Sequence, residues 1–227
     1  MMTHTLRKAW EHLRDTDPRY LGGSTGAVLH TLPSGKRVVV KRGAHAKHIT
    51  NEYDMNRFLN ELGVGVPQAT LQQDNSGAPV FISDFEEGAR RPSLAEPIDK
   101  KRIRGDFAPQ ALIGNWDVLG QDLDNVLMRP DGTPTYVDVG GAGPYRAQGG
   151  EKGAKWSPNV DADLESMQSK MPYASDMYGD MSDKEIGQSY DSYGGQDAME
   201  QAMSVIRDAQ TKNILQQRAE NLSRRVA

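Results

Sequence analysis

The chain has 227 residues, no cysteine, and a formal net charge of −4 from 27 basic and 31 acidic side chains scattered along it. That length can bury one good core, or one two-lobed domain with a short appendage. The mixed charge gives no case for nucleic acid or a membrane surface, and the missing cysteines exclude disulfides and thiolate chemistry. No apolar run approaches the roughly 20 residues that a spanning helix needs, and residues 1–10 lack the apolar stretch of a secretory signal. A soluble, cytoplasmic protein is expected.

Residues 3–13 read as a short amphipathic helix with Leu6, Ala9, Trp10 and Leu13 on one face, ended by Asp15-Thr16-Asp17-Pro18. Residues 20–26 form a glycine-rich turn containing Gly22-Gly23-Ser24-Thr25-Gly26. A strand over 27–32, a turn at Pro33-Ser34-Gly35-Lys36 and a valine-rich strand over 37–41 follow. Over 46–62 the pattern turns helical, with Ile49, Tyr53, Phe58, Leu59 and Leu62 on one side and Gly63 as the stop. Strands over 69–72 and 80–83 complete a small antiparallel sheet with one helix packed on it. His45 and His48 read as exposed residues at the start of the helix rather than zinc ligands, since no HExxH spacing occurs.

Beyond Gly88 the composition shifts. Arg90, Arg91, Lys100, Lys101, Arg102 and Arg104 make a basic stretch, read as a solvated face in preference to a dock for an acidic substrate. Residues 107–113 are a short helix stopping at Gly114. Three apolar-flanked motifs come next: Asn115-Trp116-Asp117, then Leu123-Asp124-Asn125-Val126-Leu127-Met128, then Tyr136-Val137-Asp138-Val139-Gly140-Gly141. Pro130-Asp131-Gly132-Thr133 is the hairpin turn between the last two. Residues 149–153 form a glycine-rich loop, 166–196 read as helix, turn, helix, and 196–225 read as one helix. The implied units are a helix over 1–18, a sheet lobe over 19–88, a reduced second lobe over 89–195 and a terminal helix over 196–227.

Phosphoryl transfer from ATP needs an acid, an amide and a second acid in this order. One carboxylate orients the acceptor hydroxyl, while an amide oxygen and another carboxylate hold magnesium. Asp138 is read as lying inside an apolar strand, where a carboxylate without a partner is costly unless a metal neutralises it. A strand-end turn cap is the alternative there. Lys41 ends a strand behind the glycine-rich turn, placed to reach ATP phosphates, and Glu52 on the following helix is its candidate partner. Taken singly, Lys41 is equally a solvated strand end, Glu52 a helix-start acid, and Asp117, Asp122 and Asp124 turn aspartates. Asp84-Phe85-Glu86 stands where a hinge would read adenine through its backbone, or forms a solvated acidic loop. A P-loop is excluded, because around Gly35-Lys36 His30 and Arg37 occupy the positions of the first glycine and the hydroxyl.

With these residues in hand, the chain resembles an atypical, minimal protein-kinase-like family: the actin-fragmin kinase, phosphoinositide-kinase and HipA-type toxin group. It is also similar to compact kinase-like domains of phage and bacterial effectors. The resemblance runs over about residues 20–155 and includes Tyr145-Arg146-Ala147-Gln148-Gly149. It implies a two-lobed α+β fold, with a small antiparallel-sheet lobe and a reduced helical lobe. It implies ATP and Mg as cofactors, and transfer of the γ-phosphoryl group to a hydroxyl of a protein substrate. Lys41 and Glu52 would be the phosphate lysine and its partner, Asp117 the catalytic acid, and Asn125 and Asp138 the metal ligands. Gly22, Gly23, Ser24, Thr25 and Gly26 would cover the phosphates, with Asp84 and Phe85 at the hinge. The departures are Trp116 for the usual arginine, Val139 for the usual phenylalanine, and Asn125 eight residues after Asp117 where the common spacing is about five. That spacing leaves Asp122 as a rival for Asp117. A small-molecule kinase, an AMP transferase and a non-catalytic binding or virion module remain alternatives. Whether residues 173–193 are autophosphorylated or a polar linker stays open, as does the oligomeric state.

Overall fold

The computed structural model describes residues 18–22, 26–171 and 173–227. The helix expected over 3–13, and Gly23, Ser24 and Thr25 of the glycine-rich turn, lie outside the described residues. The first lobe comprises β1 (Arg19–Gly22), β2 (Ala27–Thr31), β3 (Arg37–Lys41), α1 (Ala46–Glu61), β4 (Ala69–Gln73) and β5 (Pro79–Asp84). Its sheet runs β1-β2-β3-β5-β4, antiparallel throughout. Residues expected as turn thus include a short strand, since Arg19 and Tyr20 pair with Leu29 and Val28.

The period of two decides what each face carries. Val38, Val40, Val80 and Ile82 point to one side and form a small core with Leu32. The alternate residues, Val39, Lys41, Phe81 and Ser83, belong to the other side, where Phe81 packs with Ile49 and Tyr53 of α1. Lys41 is thereby delivered beneath the helix.

The second lobe holds α2 (Pro97–Gly105), α3 (Phe107–Leu112), the hairpin β6 (Val126–Met128) and β7 (Pro134–Tyr136), α4 (Asp161–Ser169), α5 (Ala174–Tyr178), α6 (Asp183–Ser192), α7 (Gly195–Ala202) and α8 (Ala209–Val226). One apolar core runs from Phe58 and Leu59 of α1 through Phe107, Leu112 and Tyr136 to Leu215 and Leu222. This is the two-lobed α+β arrangement expected. Among the described residues no helix is long and apolar enough to cross a membrane.

Four local expectations need correction. The helix read over 196–225 is two: Met203–Val205 tightens into a 3₁₀ turn, and Ile206 becomes extended. Asp208 then caps α8 by accepting from the Thr211 N–H at 2.7 Å. Apolar spacing across Met199, Met203 and Ile206 hides that break. The basic stretch is only partly a solvated face. Arg90 pairs with Asp99 at 2.9 Å, Arg102 donates to the Gly132 carbonyl, and Arg104 holds the Met177 carbonyl and Asp180. His48 is buried, although His45 beside it is exposed. Asp138 stands two residues past the end of β7, so its pairing is set by a loop and not by the sheet.

Candidate active site

Lys41, Glu52 and Asp138 meet where the two lobes face each other. The Lys41 ammonium donates to Glu52 Oε1 at 2.7 Å and to the Val137 carbonyl at 3.2 Å, and lies 3.5 Å from Asp138 Oδ2. The Lys41 and Glu52 side chains are 4% and 1% exposed, against 31% for Asp138, so the buried pair opens toward solvent through the aspartate. Burial pulls the Lys41 pKa down, but Asp138 and Glu52 together outweigh it and hold the ammonium above the ordinary lysine value. Burial pushes the Glu52 carboxyl up to about 7 against the pull of Lys41, with Asp138 adding to the rise.

The loop from Asp117 to Asn125 explains the unusual spacing. The Gly120 N–H donates to the Asp117 carbonyl at 3.1 Å, and Gly120 has φ +72°, with Asp124 and Asn125 packed where a Cβ would lie. Leu123 is left-handed at φ +57° and buries its side chain in the core, a strain of about 1–2 kcal/mol held by packing. Chain that would otherwise separate the two residues is folded back, and Asn125 Nδ2 donates to the Asp117 carbonyl at 2.7 Å. Burial pushes the Asp117 carboxyl up to about 6, Asp138 adds to the rise, and the Asn125 amide opposes it. Asp122 is exposed, and its carbonyl accepts from Arg91 at 3.2 Å.

An open cleft of about 310 Å³ lies between the lobes, lined by Gly22, Val39, Lys41, Asp84, Phe85, Asn125, Leu127 and Asp138 among others. That volume falls in the range of small-molecule sites, roughly 300–1,000 Å³. The acidic segment Asp84-Phe85-Glu86-Glu87 is less solvated than its charge suggests. Arg129 grips Glu86 through two nitrogens at 2.8 and 2.9 Å, and Arg37 pairs with Glu87 while lying 4.3 Å from the Phe85 ring centre. Gly22, at the cleft, has φ +87°, and Gly26 has φ +71°.

Residues that sequence reading missed fix α1 to the loop after Asp138. The Ala44 N–H donates to His48 Nδ1 at 3.2 Å, which sets the tautomer and lets Nε2–H donate to the Gly140 carbonyl at 2.9 Å. Burial holds the His48 pKa below the usual histidine value. His45 caps α1 with Nδ1, and its Nε2 donates to the Gly149 carbonyl at 3.1 Å. Asn51 adds a bond to the Ala142 carbonyl at 3.0 Å. The spacing of three residues between these side chains was the available signal, because it places them along one face of a helix.

No family model and no curated protein matches this sequence. Solved structures similar to the chain include an apo pseudokinase, with a TM-score of 0.36 and 10% identity over 98% of this chain and 95% of that one. A presumed aminoglycoside phosphotransferase from Ralstonia eutropha JMP134 gives 0.42 and 12% over 96% and 98%. The toxin HipA of Shewanella oneidensis MR-1, in complex with HipB and operator DNA, gives 0.35 and 13% over 92% of this chain and 64% of that one. At such scores and identities these likenesses bear on no residue's role.

Proposed function

We propose that the chain is an ATP- and magnesium-dependent phosphotransferase acting on a hydroxyl, with a protein serine or threonine as acceptor. The observation that supports this most is the buried Lys41–Glu52 pair facing the cleft with Asp138 3.5 Å away. A structural ion pair needs one acid. A second acid on the open side of the ammonium suits a site built to take charged groups.

The donors present fit magnesium. Asn125 commits its amide nitrogen to Asp117, which leaves the amide oxygen available. Asp138 Oδ1 accepts the Gly140 N–H at 2.9 Å, and both residues line the cleft. No group of three or more His, Cys, Asp or Glu able to hold a metal occurs among the described residues. One carboxylate and one amide oxygen suit an ion that completes its shell with water and phosphate oxygens. When bound, it would neutralise charge on the phosphates during transfer.

The Lys41 ammonium, braced by Glu52, supplies positive charge where the α- and β-phosphates would lie. Asp117 takes the proton as the acceptor oxygen bonds to the γ-phosphorus and the bond to the bridging oxygen of ADP breaks. Its carboxyl, raised to about 6, suits a base working near neutral pH. Positioning and electrostatics supply most of the acceleration in such a site.

Thermal or denaturant unfolding titrated with ATP, with and without magnesium, tests the reading. Binding to the native state should add about 2.7 kcal/mol at a hundredfold excess over Kd. The same unfolding curve at every concentration of both would count against it.

A further inference from the structure

Lys152 is a buried amine outside the cleft. The Lys152 N–H donates to the Pro144 carbonyl at 2.8 Å, which turns the side chain inward, where it is 4% exposed. Its ammonium donates to the Gly114 carbonyl at 2.6 Å and to the Gly143 carbonyl at 2.8 Å. It also lies 4.5 Å from the Trp116 ring centre and 5.6 Å from that of Trp156. Gly114 directly precedes Asn115-Trp116-Asp117, and Gly143 lies in the loop that begins at Asp138. One side chain therefore joins the backbone carrying Asp117 to the backbone carrying Asp138.

The surroundings make charge on this group costly. Asp163 gives its carboxylate to the Trp116 indole N–H and to Arg218, so it reaches Lys152 only through space. Burial draws the lysine pKa down to about 7; Asp163 opposes this, while Arg218 and Arg146 add to it. A methionine would fill the same volume without that penalty. What it would lack is two charge-assisted hydrogen bonds to two different loops, and a cation over the Trp116 ring. The loops have little other slack. The Gly143 N–H donates to the Ile113 carbonyl at 2.7 Å, and Gly141 packs so near Asp117 that an added methyl would lie 3.2 Å from the Asp117 Cβ, a tight contact.

We infer that Lys152 is a positioning residue for phosphoryl transfer, its ammonium setting the spacing between the Asp117 loop and the Asp138 loop. The inference rests on the proposed function. It goes further in assigning a role to a residue that touches neither nucleotide nor acceptor.

The test compares the full chain with Lys152→Met and Lys152→Ala. With wild-type turnover as reference, Lys152→Met should keep its KM for ATP within about twofold, because Lys41 and Glu52 are untouched. Its kcat should fall about 10- to 100-fold, the scale of a small misplacement of reacting groups. Propylammonium, which replaces the atoms removed, should restore part of the kcat of Lys152→Ala, and propanol should not. Wild-type kcat in Lys152→Met overturns the inference, as does equal rescue by amine and alcohol, which would mark a plain cavity. If the wild type has no turnover, the function reading fails and amide exchange decides the tie separately. Lost protection in Lys152→Met confined to residues 115–118 and 139–143 upholds it; unchanged protection there overturns it. Should Lys152→Met fail to fold, Lys152→Ala with propylammonium carries both readouts, and failure of the amine to restore either the fold or the kcat overturns the inference.

Discussion

Glu52 gives one carboxylate oxygen to the Lys41 ammonium at 2.7 Å and buries the other, facing Gly140, with no hydrogen-bond partner. Such an arrangement is poor as a structural staple. A buried carboxylate left half satisfied loses stability that an apolar pair would keep. It suits a brace that must hold an ammonium in place for something else.

Removing one member should therefore hurt more than removing both. Lys41→Met leaves Glu52 buried without its cation and is expected to lose about 2–4 kcal/mol, somewhat below the full penalty for an orphaned charge because the carboxyl can take up a proton. Lys41→Met with Glu52→Gln should recover most of that loss in denaturant unfolding while phosphoryl transfer stays absent. A double variant that retains turnover would show that the pair is structural only.

Asp117 and Asp122 are separated by substitution and by pH. Asp117→Asn should lower turnover about 10²- to 10⁴-fold with ATP binding retained, the usual span for a general base. Asp122→Asn, at an exposed position, should leave it nearly unchanged. A base must be unprotonated, so the Asp117 carboxyl at about 6 makes wild-type kcat rise with pH through about 6 and level off above it. If Asp122→Asn is the inactive variant, the assignment moves to that residue.

Asp106 gives a stability prediction apart from the chemistry. It is buried beneath Tyr136 and Tyr193, whose hydroxyls both donate to it, and burial still pushes its carboxyl up from 3.8 to about 6. Between those values the folded chain holds the proton more tightly than the unfolded chain, so this group's contribution falls as pH rises through the window. The change is about 3 kcal/mol from the size of the shift. Asp106→Asn should gain on the wild type by about that amount between pH 4 and 7 in urea unfolding. Parallel stability–pH curves would show that the carboxyl does not titrate in that window.

Much of the site was legible because local chemistry and tertiary demand coincide. The consecutive Val38, Val39 and Val40 marked β3, whose last residue is Lys41, and the helical spacing of Ile49, Tyr53 and Phe58 marked α1, which carries Glu52. Three features were not legible for the same reason: each depends on a partner distant in sequence. His48 accepts from nearby Ala44 but is buried by a loop more than 90 residues away. The fold-back from Asp117 to Asn125 needs Gly120 and a left-handed Leu123, and the latter is stable only because the core receives its side chain. The break before α8 follows from Arg207 reaching Asp54 on α1 at 2.7 Å, which no periodicity reports.

The most direct test of phosphoryl transfer is incubation of the purified chain with magnesium and γ-labelled ATP beside Asp138→Ala, followed by intact mass and by assay on a generic serine/threonine protein substrate. Label on chain or substrate with a gain of about 80 Da, confined to the wild type, is the result expected of phosphoryl transfer. Equal labelling by a folded Asp138→Ala variant, or none by a wild type that also ignores magnesium and ATP in unfolding, would contradict it.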